Sequence, residues 1–159
     1  MVDKLKSSII HIDKNEYAKI TKTNDGTILE YYKGDKLHNS EGAARIVIIG
    51  NQILQQEYYV DGKRHNANGP AIKSKIMEYY YIEDKLHRDN EPAKTQIYED
   101  GHKSLIYYQH GEIHRIGGPA YILIKNETIL DTKYYLNNVE YSEFEYLLKL
   151  NQIKNIDSN

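Results

Sequence analysis

A chain of 159 residues, 40% hydrophobic and 28% charged, is long enough to bury a core and is most simply one domain. Its net charge of −2 supplies no general basic field, so non-specific nucleic-acid binding has no electrostatic support. The chain has no cysteine, which excludes disulfides, zinc–thiolate centres and thiol nucleophiles. The longest obvious apolar run is Ile46 to Ile49, far short of the ~18 residues of a membrane span. Met1 to Ser8 lacks the apolar stretch of a signal peptide, so a soluble intracellular protein is expected.

Residues 1–26 read as a degenerate half-copy of a unit repeated downstream. His11 lies 27 residues before His38, and Tyr17-Ala18 is shifted by one from its slot. From residue 27 to 141 the unit itself recurs. Tyrosine pairs stand at Tyr31-Tyr32, Tyr58-Tyr59, Tyr80-Tyr81, Tyr107-Tyr108 and Tyr134-Tyr135, at intervals of 27, 22, 27 and 27. Six residues after each pair come His38, His65, His87, His114 and Tyr141, and six later again Ala44, Ala71, Ala93 and Ala120. Several slots sharing one period define a repeat array.

Each slot has a local physical reason. Gly34-Asp35, Asp61-Gly62, Glu83-Asp84, His110-Gly111 and Asn137-Asn138 are residues that tolerate left-handed backbone, and they predict tight hairpin turns. The stretches before them, such as Thr27 to Tyr32 and Ser104 to Tyr108, have strand composition. Gly69-Pro70-Ala71 and Gly118-Pro119-Ala120 make a second bend, with proline where a strand begins and its missing donor is tolerated. Strands such as Arg45 to Ile49 and Tyr121 to Ile124 then run to polar turns at Gly50-Asn51, Asp100-Gly101 and Asn126-Glu127. The 22-residue interval predicts a shortened pair of strands between Ala71 and Tyr80. One unit is thus two antiparallel strands, and the chain is a mainly β, repetitive antiparallel meander of roughly ten strands.

At 142–153 the period changes. Ser142 and Glu145 form a capping box, and Phe144, Leu147, Leu148 and Leu150 follow at helical spacing. A short capping helix is expected to cover the last strand, whose open edge otherwise invites association.

The run His114-Arg115…Gly118-Pro119-Ala120, behind a Tyr-Tyr pair and a turn, resembles the MORN-like repeats found in large DNA viruses, phages and some bacteria. His87-Arg88…Pro92-Ala93 is a second match, with Glu91 in place of glycine; His65 to Ala71 has Asn66 after the histidine, and His38 to Ala44 is weaker. The resemblance implies an elongated or curled sheet and no common activity. Proteins of this type act as scaffolds, membrane-apposed adaptors or antitoxin-like partners.

Site expectations follow from geometry. Equivalent residues in neighbouring two-strand units sit about 9.6 Å apart, too far to share one metal ion. His38, His65, His87 and His114, with Gly69, Pro70, Pro92, Gly118 and Pro119, are therefore read as structural, the histidines bonding the turn before Gly-Pro-Ala. His110 and His114 flank one turn and are expected near each other. Adjacent strand residues point to opposite faces, so each tyrosine pair is expected to put one ring in the core and one on a binding face. The binding candidates are Tyr58, Tyr59, Tyr80, Tyr81, Tyr107 and Tyr108, with Arg88 and Arg115 as anion or carboxylate partners. The acids are read as solvated groups of turns and caps. The chain carries no phosphate loop, His-Glu-x-x-His or nucleophile elbow.

The expected function is non-enzymatic: a protein–protein interaction module, of viral or phage type, engaging a host defence or toxin-like protein in the cytoplasm of the producing or infected cell. No cofactor or metal is called for. A membrane-apposed scaffold and an enzyme working an anionic substrate with the His/Arg row are the alternatives; repetition of the unit favours binding.

Overall fold

The computed structural model describes residues 6–157, with backbone alone for 154–157. The chain forms two compact units, Met1–Lys85 and Leu86–Asn159. In the first, β1 (Lys6–His11), β2 (Glu16–Lys22), β3 (Thr27–Lys33), β4 (Lys36–Leu37), β5 (Arg45–Ile49), β6 (Gln52–Glu57), β7 (Tyr59–Val60), β8 (Lys63–Arg64), β9 (Ile72–Ser74), β10 (Met77–Tyr79) and β11 (Tyr81–Ile82) follow in order. The division between units falls inside β12 (Lys85–Leu86). The second unit continues with β13 (Lys94–Ile97), β14 (Lys103–Ile106), β15 (Tyr108–Gln109), β16 (Glu112–Ile113), β17 (Tyr121–Lys125), β18 (Thr128–Leu136), β19 (Val139–Tyr141) and helix α1 (Glu143–Asp157).

Both units carry an antiparallel meander, ordered β1-β2-β3-β5-β6-β9-β10 in the first and β13-β14-β17-β18-β19 in the second. The expectation of two strands per copy, and ten in all, needs correction. A full copy has four, because the chain leaves the main sheet at the tyrosine pair and makes a separate short hairpin, such as β7–β8 or β15–β16. The first tyrosine is the corner. Tyr58 donates its N–H to Ala71 O in the main ladder (2.7 Å) while its own carbonyl accepts from His65 N–H (3.1 Å). Tyr31 and Tyr107 do the same with Ala44 and His38, and with Ala120 and His114.

Successive short hairpins bond to each other and so make a second row beside the main sheet. Asn66 N–H reaches Tyr81 O, and Asp84 N–H reaches Arg64 O; in the other unit Arg115 N–H reaches Tyr135 O and Asn138 N–H reaches Ile113 O. The turns adopt the left-handed backbone their residues predict: φ is +49° and +83° at Asp61 and Gly62, and +50° and +65° at Asn137 and Asn138. Where the period drops to 22, β9 and β10 are only three residues each.

The core is narrow and made mostly of alanine. Ala44, Ala71, Ala93 and Ala120 are fully buried, with Ala18 and Ala43 nearly so. None of the ten paired tyrosines is fully buried; all are partly buried. No ring of a pair is therefore a core residue, and at Tyr58 and Tyr107 the passage from one ladder to another ends the strict alternation of a flat strand.

The capping box forms as expected: Ser142 N–H donates to Glu145 Oε2 (2.9 Å) and Glu145 N–H to Ser142 Oγ (3.3 Å). Of the four helix residues expected on the covering stripe, Leu150 alone is buried. Phe144, Leu147 and Leu148 are exposed, whereas Tyr146 and Leu150 pack on Leu136 with Ile153, Tyr134 and Tyr141 around them. Among the described residues no helix is long and apolar enough to cross a membrane.

Candidate functional site

Second tyrosines sit with a charged row that crosses the first unit's sheet. Register places Lys19 beside Glu30, Glu30 beside Arg45 and Arg45 beside Glu57. Lys19 and Arg45 approach Glu30 at 4.0 and 3.6 Å, and Arg45 also pairs with the buried Glu57. Glu57 accepts further bonds from Gln55 Nε2 and the Tyr59 hydroxyl, both at 2.9 Å. The reading of acids as solvated turn and cap groups is thus wrong for Glu30 and Glu57. Alternating charges directly opposite one another satisfy each other across strands.

Burial, reinforced by the bond to Glu57, pushes the Tyr59 hydroxyl from its ordinary 10.0 up to about 12. The native state holds this proton between those values while the unfolded chain releases it. Stability from this group is therefore full below pH 10 and falls as pH climbs from 10 towards 12. Urea midpoints measured across that window should fall less steeply for Tyr59→Phe than for the parent.

Tyr31 and Tyr58 lie beside the loops that run from His38 to Ala44 and from His65 to Ala71. Here the structure opens clefts. One, of about 530 Å³, lies between loop 39–42 and loop 65–68, over Tyr58 and Val60 and beside His65. A smaller one, of about 180 Å³, is lined by Ile12, Glu16, Tyr31, Tyr32 and residues 38–41. The two share Asn39, Ser40 and Glu41 as a common wall. Asn39 and Asn66 shape the loops. Asn66 Nδ2 donates to Pro70 O (3.0 Å) while its Oδ1 accepts from Asn68 N–H (3.1 Å), and Asn39 does the same with Ala43 O and Glu41 N–H.

In the second unit arginine takes the asparagine's place. Arg115 Nη1 donates to Pro119 O (3.0 Å), and its guanidinium lies 3.8 Å from the centre of the Tyr107 ring. Arg88 Nη1 reaches Pro92 O (3.4 Å), and Arg88 pairs with Glu91. Both arginines, expected as ligand contacts, thus also brace their own loops. An arginine cannot accept from the loop as asparagine does, and at Gly117 and Gly118 the acceptor is the Tyr146 hydroxyl, at 2.8 and 3.0 Å. The same hydroxyl donates to Arg115 O (2.9 Å), and its ring packs 4.9 Å from Tyr134. Sequence reasoning missed Tyr146, although its position on the helix where the next loop is due was visible.

The histidines bind turns, but not those before their own Gly-Pro-Ala. Nδ1 of His38, His87 and His114 accepts from Asp61, His110 and Asn137 N–H, at 3.0, 3.3 and 3.2 Å, each in the following hairpin. His110 stacks on His87, with centroids 4.4 Å apart, and not with its sequence neighbour His114. His65 instead lines the large cleft. His87→Ala should lower stability by about 1 kcal/mol in thermal melts, the worth of one exposed hydrogen bond and its stacked ring. Tyr80 and Tyr81 sit at the third corner, with Arg64 4.7 Å from the Tyr81 ring centre; Tyr108 opens β15.

The chain matches no family model, no curated protein and no solved structure.

Proposed function

We propose that this protein is a non-enzymatic module that binds another protein through the loop-lined clefts over its first tyrosines. The observation that carries the reading is the repetition of one surface element: two clefts on successive copies share a wall, and each offers tyrosine rings beneath polar loop edges. Tyrosine with adaptable polar groups is the composition of protein-recognition surfaces. On the first unit's sheet Glu30, Arg45 and Glu57 are taken up in cross-strand pairs, whereas Ser40 and Asn68 of the loops are exposed. The resemblance of the His-Arg…Gly-Pro-Ala units to MORN-like repeats points to a host or toxin-like protein as the partner class.

The test blocks the clefts without touching the core. Ser40→Trp and Asn68→Trp alter exposed residues that line the large cleft. Tagged protein should capture a stoichiometric partner from the producing cell, and both variants should lose it while keeping the parent's melting temperature. A control at exposed Gln52, the first residue of β6, should retain capture. Equal capture by the blocked variants would place binding elsewhere, and no stoichiometric partner for the parent would overturn the reading.

A further inference from the structure

The copies differ in what covers the first tyrosine. Over Tyr107 lies the Arg115 guanidinium at 3.8 Å, and over Tyr134 lies the Tyr146 ring at 4.9 Å. In both cases the chain itself supplies a planar group from the loop position, or the helix replacing it. Over Tyr58 the corresponding residue is Asn66, which is too short and is turned into its own loop by bonds to Pro70 O and Asn68 N–H. The 530 Å³ cleft is the space left. Asn39 leaves the Tyr31 ring beside the smaller cleft for the same reason.

Resting on the proposed binding function, we infer that these two clefts take arginine side chains of the partner protein, each guanidinium stacking on Tyr31 or Tyr58 as Arg115 stacks on Tyr107. Charge favours this occupant over a second tyrosine. Neither cleft has a lysine or arginine among its lining residues, and both are bordered by Glu41, an exposed carboxylate beside Ser40. The smaller one adds Glu16, which is also 3.9 Å from Lys33. Exposed Ser40 and Asn68 add a hydroxyl and an amide to the lining of the large cleft, suited to a group with five N–H donors and no acceptor. A cation over a tyrosine face is attracted by the ring quadrupole.

Spacing narrows the ligand further. Tyr31 lies in β3 and Tyr58 follows β6, two strands on in the order β3-β5-β6, so the clefts repeat at about 9.6 Å. Three residues of polyproline II span about 9 Å and bring positions i and i+3 to one face, which matches an Arg-x-x-Arg segment.

The experiment titrates the whole protein, labelled for NMR, with capped Arg-Ala-Ala-Arg, Lys-Ala-Ala-Lys and Gln-Ala-Ala-Gln peptides. The arginine peptide should shift the Asn39 and Asn66 side-chain amides and bind about tenfold more tightly than the lysine peptide. Glu41→Lys, on an exposed loop, should weaken it by about tenfold or more. Asn66→Arg should also weaken it, by filling the larger cleft with the chain's own guanidinium. Equal binding of the arginine and lysine peptides, or arginine binding unchanged in Glu41→Lys, overturns the inference. Partner capture that Ser40→Trp abolishes and Glu41→Lys leaves intact would keep the binding function while removing arginine as its ligand.

Discussion

Tyr146→Ala should lower the stability of the Leu86–Asn159 unit by about 3–5 kcal/mol, the cost of deleting a buried aromatic side chain. The residue is 1% exposed and is the largest member of the cluster that holds α1 to β18 and β19. Tyr146→Phe separates the two contributions. It keeps the ring on Tyr134 but leaves Gly117 N–H, Gly118 N–H and Arg115 C=O without the hydroxyl that serves all three. Its expected cost is about 1–3 kcal/mol. Urea unfolding followed by far-ultraviolet circular dichroism checks both values. Parent-like stability of Tyr146→Ala would mean that the helix is not held by this residue.

Ala71→Leu should destabilise the Met1–Lys85 unit by about 3 kcal/mol, at the upper end of overpacking costs. Ala71 is fully buried at the corner between the main sheet and the short hairpins. Its N–H donates to Tyr79 O (2.8 Å) and its carbonyl accepts from Tyr58 N–H (2.7 Å), so the backbone is held on both sides and cannot step aside. Ala67→Leu, four residues earlier on the exposed loop, is the control and should stay within about 0.5 kcal/mol of the parent. A melting temperature unchanged in Ala71→Leu would show that the alanine slot has room and that its recurrence has another cause.

The recurrence itself explains why so much of the fold was legible. A repeat writes its local rules several times, and each rule acts over a few residues. Asp61-Gly62 and Asn137-Asn138 are turns because left-handed backbone is tolerated there, and Ser142 with Glu145 starts a helix because each satisfies the other's backbone N–H. The shortened hairpin between Ala71 and Tyr80 is legible by counting residues alone.

The site was less legible, since it depends on which groups meet. The expected stripe, Phe144, Leu147, Leu148 and Leu150, and a second one, Tyr146, Leu150 and Ile153, both have helical spacing, and hydrophobicity alone favours the first. The second is buried because only the Tyr146 hydroxyl supplies an acceptor to two loop N–H groups and a donor to a loop carbonyl. Tyrosine orientation escaped prediction for a related reason. Alternation along a strand holds only while the strand stays in one sheet, and Tyr58 and Tyr107 stand where the chain passes from one ladder to another.

By itself, then, the sequence determined the repeat, its turns, the antiparallel meander and the capping helix, all of them consequences of backbone preferences within a few bonds. Tertiary structure alone decided that alanine fills the core, that Glu30 and Glu57 are paired across strands with Arg45, and that clefts lie beside Tyr31 and Tyr58, where the loop residues are Asn39 and Asn66. Those outcomes turn on how far a side chain reaches from one copy to its neighbour: an arginine spans from loop to ring, and an asparagine stops at its own backbone.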